Sequence, residues 1–191
     1  SDGTKFGKSE GNAIWLDPVM CSPYAMYQFW LNTDDADVID RLKVFTFLTR
    51  AEIEEYAAKV ADEPFRRESQ RRLALEVTAL VHGEDAAAAA IAASAALFGQ
   101  GDLAELDAAT LAAAVAELPS ARVAESDTVV HALVATGLCS SAGEARRAIA
   151  QGGVSLNNVK VSGEDQTLAG AALAGGAAVL RRGKKTLAGL T

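Results

Sequence analysis

The chain has 191 residues, half of them hydrophobic, with two cysteines, two histidines and a formal net charge of −7. That length suits one ordinary domain or two small ones, and the composition excludes a disordered tail, a collagen and a disulfide scaffold. Cys21 and Cys139 lie far apart and outside any Cys-x-x-Cys pair, and only His82 and His131 could join them, so neither a disulfide framework nor a metal centre is expected.

Residues 1–13 read as a loop, because Gly3, Gly7, Gly11 and Asn12 interrupt any periodicity. Ser1 to Glu10 lack the apolar core of a signal peptide, so a cytoplasmic location is expected. After Ala13-Ile14-Trp15-Leu16 and Asp17-Pro18, the aromatic stretch Pro23 to Leu31 predicts a helix with Pro23 in its first turn and its rings in packing. Thr33-Asp34-Asp35 offers N-caps to a helix whose Val38, Ile39, Leu42 and Phe45 recur on one face. Thr49 and Glu52 form a Thr-x-x-Glu capping box opening a helix through Val60. Pro64 begins a further helix with Leu73, Val77 and Leu80 as its stripe and Arg66, Arg67, Arg71 and Arg72 facing elsewhere; Gly83 ends it. The last of this series runs from about Asp85 to Phe98. Its Ala-rich part, Ala86 to Leu97, is too short and too weakly apolar to span a bilayer, and no membrane partner is expected. Four short helices without strands imply a bundle.

From Gly99 to Arg122 the chain reads as a linker with some helix, starting at Thr110 and running through Leu118. Beyond it, a helix from Asp127 or Thr128 is closed by Gly137, and a second opens at Ser141 with the capping box Ser-Ala-Gly-Glu144 and stops at Gly152-Gly153. Val154-Ser155-Leu156 and Val159-Lys160-Val161 read as short strands around the turn Asn157-Asn158, which tolerates positive φ. Ala177 to Leu180 and Thr186 to Leu190 flank the basic run Arg181-Arg182-Gly183-Lys184-Lys185, read as a hairpin. The fold class is therefore mainly α, a helical bundle followed by a small α+β domain. From Ala121 onward eight basic residues stand against five acidic ones, a local balance of +3, while the rest carries −10. A phosphate backbone senses that local field rather than the net charge.

Lys5-Phe6-Gly7-Lys8-Ser9 places two ammonium groups three positions apart, with a hydroxyl beside them, in a glycine-bearing loop. Such a loop can close on a triphosphate and neutralise charge building on leaving pyrophosphate. Together with Glu10-Gly11-Asn12-Ala13-Ile14-Trp15-Leu16-Asp17, Ser22-Pro23-Tyr24 and Tyr27 to Asp35, it resembles the signature loop of class I aminoacyl-tRNA synthetases as the tyrosine enzymes of bacterial type carry it. Phe6 and Gly7 depart from the common Lys-Met-Ser-Lys-Ser spelling. Ser141, Glu144-Ala145-Arg146-Arg147, Gly152 to Asn157 and Val159-Lys160-Val161 are similar to the S-four RNA-binding domain. Leu42 to Leu48 and Val81-His82-Gly83 resemble the helical anticodon-binding domain of the same enzymes.

The resemblance implies four regions. Residues 1–32 would be the ATP loop and the exit from a Rossmann catalytic domain otherwise absent from these residues. Residues 33–101 would be the anticodon-binding bundle, 102–124 a linker and 125–191 the S-four-like domain. It further implies ATP-dependent activation of tyrosine and transfer to tRNA(Tyr), with Mg accompanying ATP and a homodimer as the whole protein. Lys5 and Lys8 would hold the ATP phosphates with Ser9 assisting. Arg146, Arg147 and Lys160 would meet RNA phosphates, with Arg181, Arg182, Lys184 and Lys185 nearby, and Asp34 or Asp35 would accept from a guanine edge. Without the second catalytic motif and the tyrosine pocket, these residues alone are expected to be inactive in activation. A non-enzymatic RNA-binding adaptor is the alternative, opposed by the aromatic segment Tyr24 to Leu31. A tryptophanyl relative, ordinarily lacking the C-terminal RNA-binding domain, is a further one. His82 and His131 are expected to be packing residues.

Overall fold

The computed structural model describes residues 14–184 and 186–191. Lys5, Lys8, Ser9 and Lys185 lie outside the described residues. The chain divides into two compact units, Ser1–Ile91 and Ala92–Thr191. Among the described residues no helix is long and apolar enough to cross a membrane.

In the first unit, α1 (Pro23–Leu31) starts where the Ser22 hydroxyl accepts from the Ala25 amide at 3.1 Å and Pro23 presets the first turn. Its aromatics are packing residues: Tyr24, Tyr27 and Trp30 are all buried, and the Trp30 ring lies 4.9 Å from that of Phe45. The next helix, α2 (Asp35–Phe45), buries Val38 and Leu42 completely, which stabilises by about 1.5–3 kcal/mol for each such side chain. The capping box of α3 (Arg50–Asp62) forms in both directions, Thr49 Oγ1 accepting from the Glu52 amide and the Glu52 carboxylate from the Thr49 amide.

Pro64 opens only a single 3-10 turn, Pro64–Arg66, rather than a long helix. Arg67 then takes a left-handed conformation, φ 51°, and the helix proper, α4 (Glu68–His82), follows it. This helix packs against α1, α2 and α3. Its inner face comprises Ser69, Gln70, Leu73, Ala74, Val77 and Thr78, half of it polar, while Leu80 is left 60% exposed. The following helix, α5 (Glu84–Leu97), runs on into the second unit.

The second unit is a five-stranded mixed sheet in the order β1-β5-β4-β2-β3, formed by β1 (Ser120–Ala121), β2 (Val154–Leu156), β3 (Val159–Lys160), β4 (Ala178–Arg182) and β5 (Thr186–Leu190). The sequence reading anticipated the two hairpins. It did not anticipate that β2 pairs β4, with Leu156 opposite Leu180, or that β1 runs parallel to β5. Residues 102–124, read as a linker, carry α6 (Ala108–Ala116), capped by Asp107 rather than opened at Thr110, and β1.

Strand alternation gives the sheet two covered faces. Ala178, Leu180, Ala188 and Leu190 join Val129, Leu133, Ala145 and Ile149 of α7 (Val129–Ala135) and α8 (Ala142–Ala150) in one buried core. On the opposite face α6 approaches β5 so closely that a methyl group at Gly189 would overlap Val115. The β2–β3 turn is built from Asn157 and Asn158 at φ 48° and 64°, the pair of positive values that a two-residue hairpin of matching twist requires. Asn157 also ties the turn to the rest of the sheet, accepting from the Val179 amide at 2.8 Å and donating to the Ala171 carbonyl at 2.6 Å.

Candidate nucleic-acid interface

The second unit's cations are organised by α8. Its capping box is a variant of the expected one: Ser141 Oγ accepts from the Glu144 amide at 3.3 Å, but the Glu144 carboxylate reaches back one residue further, accepting from the amide and hydroxyl of Ser140, both at 2.7 Å. With Ala145, Ala148 and Ile149 buried in the core, the helical period leaves Arg146 and Arg147 exposed on the outer face. Beyond the helix end Gly152 adopts φ 68°, and a methyl group there would overlap the Lys160 side chain. Gly152 is thus what lets the Lys160 ammonium lie against the carboxyl end of α8, where the helix dipole favours a cation.

Arg146, Arg147 and Lys160 consequently line one open cleft of about 550 Å³. Ile149 and Val161 provide apolar lining, and Ser162, Gly163 and Glu164 form another part of its wall. The Glu164 carboxylate, which sequence reasoning passed over, meets Arg146 Nε at 3.1 Å. Nothing in the sequence marks it, because it belongs to a loop brought beside α8 only by the fold. Three cations and one anion leave the cleft positive, suited to phosphate groups.

The two arginines of the β4–β5 basic run are parted by the strand that carries them. Successive residues of a strand point to opposite faces, and Arg181 and Arg182 do so. Arg182 points to the face covered by α7 and α8, donating to the Leu138 carbonyl at 2.6 Å and to Glu144 Oε1 at 2.7 Å. Together with the Ser140 bonds, that contact holds the Glu144 carboxyl far below its ordinary range, at about 2. The Ser140 hydrogen bonds contribute most and the Arg182 guanidinium adds to them. Arg182 therefore anchors α8 to the sheet. Arg181 lies on the other face, its guanidinium over Gly99, and Lys184 is exposed in the turn.

In the first unit, Asp34 is exposed at the N-cap of α2 without a side-chain capping bond. Asp35 Oδ1 accepts from Gln70 Nε2. The same corner is gripped by Arg67, which donates to the carbonyls of Leu31 at 2.8 Å and Thr33 at 3.1 Å. Left-handed Arg67 and buried Gln70 fix the turn that presents Asp34, a role no sequence pattern announced. Of the two histidines, His82 is half-buried, and that burial lowers its pKa, whereas His131 is not a packing residue: it is exposed on α7, with Nδ1 3.4 Å from Asp127. Cys139 is buried, which pushes its thiol up. Among the described residues no group of three or more His, Cys, Asp and Glu could hold a metal ion.

A mainly helical chain with one small mixed five-stranded sheet is the fold class that the sequence resemblance implied. The chain belongs to the class I tRNA synthetases (W and Y), whose family profile matches residues 1–99. Residues 110–188 match the tyrosine-tRNA ligase SYY-like C-terminal domain, which favours the tyrosine branch over the tryptophan one. Across its whole length the chain is 67% identical to a tyrosine-tRNA ligase of Leifsonia xyli, and over 98% of its length it is 55% and 56% identical to those of Streptomyces coelicolor and Streptomyces griseus. It spans 43% of the Leifsonia protein and 45% of each Streptomyces one, less than half of the curated relatives it matches.

Proposed function

We propose that the chain is the tRNA-binding part of a tyrosine-tRNA ligase. In the whole reaction the tyrosine carboxylate attacks the α-phosphorus of ATP, and the tyrosyl group then passes to the 3′ end of tRNA(Tyr). The observation that carries the RNA-binding role is the convergence of Arg146, Arg147 and Lys160 on one cleft. Their ammonium and guanidinium groups would hold backbone phosphates of folded RNA, positioning it without reading its bases. Asp34 and Asp35, both exposed at the start of α2, are the two acidic candidates to accept from a guanine edge of the anticodon. Lys5 and Lys8, with Ser9, would hold the phosphates of ATP, accompanied by Mg, in a cytoplasmic homodimer.

Titration of a labelled tRNA(Tyr) transcript with the chain at several salt concentrations tests this reading. Replacing Arg146, Arg147 and Lys160 together by Ala should weaken binding about 100-fold, as expected for three charge-assisted contacts of roughly 1 kcal/mol each. It should also flatten the slope of log K against log salt by about 2–3. Unaltered affinity and slope would remove the cleft from the RNA interface.

A further inference from the structure

Glu164 is the one carboxylate among the residues lining a cleft otherwise furnished with cations. We propose that it is a built-in competitor for the phosphate site, an internal anion that occupies Arg146 until an RNA backbone displaces it. The inference rests on the RNA-binding reading of the cleft. Its geometry is that of a reversible occupant. The Arg146–Glu164 pair is 3.1 Å long, and the two side chains remain 58% and 55% exposed, so solvent and a ligand both reach it.

The loop that carries Glu164 is tied down. Gln166 Oε1 accepts from the Ser162 amide at 2.8 Å and from the Ser162 hydroxyl at 3.0 Å, closing the loop across Glu164. The Gln166 carbonyl accepts from the Val129 amide at 2.9 Å, and the Leu168 amide donates to the Asp127 carbonyl at 3.0 Å, which moors the loop at the start of α7. Glu164 is held beside Arg146 by this scaffold.

An incoming phosphate must exchange places with the carboxylate and then remain close to it. An exposed pair costs little to break, but a retained negative charge a few ångströms from a phosphate subtracts from every contact the cleft makes. A lone phosphate gains little from that exchange. A folded RNA that also engages Arg147 and Lys160 gains enough to displace the carboxylate, so Glu164 biases the cleft against sparse or isolated phosphates.

Glu164→Gln keeps the side chain's size and removes the charge. Binding of tRNA(Tyr) and of a short single-stranded RNA would be measured for this variant, for Glu105→Gln as an exposed control with the same change in net charge, and for Glu164→Gln combined with Arg146→Gln. Glu164→Gln should tighten both RNAs by about three- to tenfold at low salt, the single strand by the larger factor. Glu105→Gln should do neither, and the double variant should lose the gain. Equal tightening by the control, a gain that survives loss of Arg146, or unchanged or weaker binding by Glu164→Gln would each overturn the proposal. If wild-type binding ignores the Arg146, Arg147 and Lys160 triple substitution, the RNA-binding reading falls and takes this one with it. If wild-type binding responds to the triple substitution but not to Glu164→Gln, only the competitor falls.

Discussion

The α8–β3 cleft and the β4–β5 hairpin look alike as sequence, each a cluster of basic residues beside a glycine turn, and the fold treats them in opposite ways. On α8 the consecutive arginines fall on the solvent side of a helix whose other side is buried, and both reach the wall of one cleft. On β4 consecutive arginines are sent to opposite faces, one to Gly99 and the other to Glu144 and the Leu138 carbonyl. Helical geometry gathers adjacent charges; strand geometry parts them. A count of basic residues treats the two alike, although in one region they are available and in the other Arg182 is part of the framework.

The comparison breaks most visibly at Gly152. Gly152→Ala places a Cβ at φ 68° and displaces Lys160, so it should cost about 1–2 kcal/mol of stability from the left-handed backbone alone. Urea unfolding would show this as a lower midpoint, and RNA affinity should fall with it as the cleft loses a cation. The two arginine sets are separated by a matched pair of variants. Arg147→Ala should weaken tRNA binding roughly fivefold and reduce the salt slope by about 0.9, without moving the unfolding midpoint. Arg182→Ala should lower that midpoint and leave the slope unchanged. The reverse assignment of these two outcomes would mean that the hairpin, not the helix, meets RNA phosphates.

The smallest effect is a pH dependence. Glu144 titrates at about 2 in the folded chain, against an ordinary value of 4.5, so its contribution to stability is fully present above pH 4.5. It should be lost progressively as the pH falls through that window toward 2, because the unfolded chain takes up the proton first. Glu144→Gln should remove this part of the acid sensitivity while lowering stability at neutral pH, as followed by urea midpoints between pH 6 and pH 3.

Local signals carried much of the fold. Thr49 with Glu52, Ser141 with Glu144, and Asn157-Asn158 each announce a structure settled within a few residues; the first and third form as read, and the second forms with Glu144 reaching Ser140 instead of Ser141. What escaped is set by distant partners. A strand of two residues, Ser120–Ala121, has no pattern of its own and exists because β5 offers it an edge. Arg67 reads as a surface charge until its contacts with Leu31 and Thr33, more than thirty positions earlier, are known. The cleft's cations were legible because α8 has a strong amphipathic pattern, whereas Glu164 required knowing which loop returns to that helix.

The pairing of β5 bears on how the protein is made. This strand is flanked on both sides, by β4 and by β1, and beyond its end the Val123 amide donates to the Thr191 carbonyl and the Thr191 amide to the Ala121 carbonyl, both at 3.1 Å. β1 is synthesised nearly seventy residues before the strand it needs, so it must wait as an unpaired extended segment until Leu190 has left the ribosome. The helical contacts of the first unit can form while translation is still under way. The sheet is complete only when synthesis has passed β5, making the second unit the later of the two to mature.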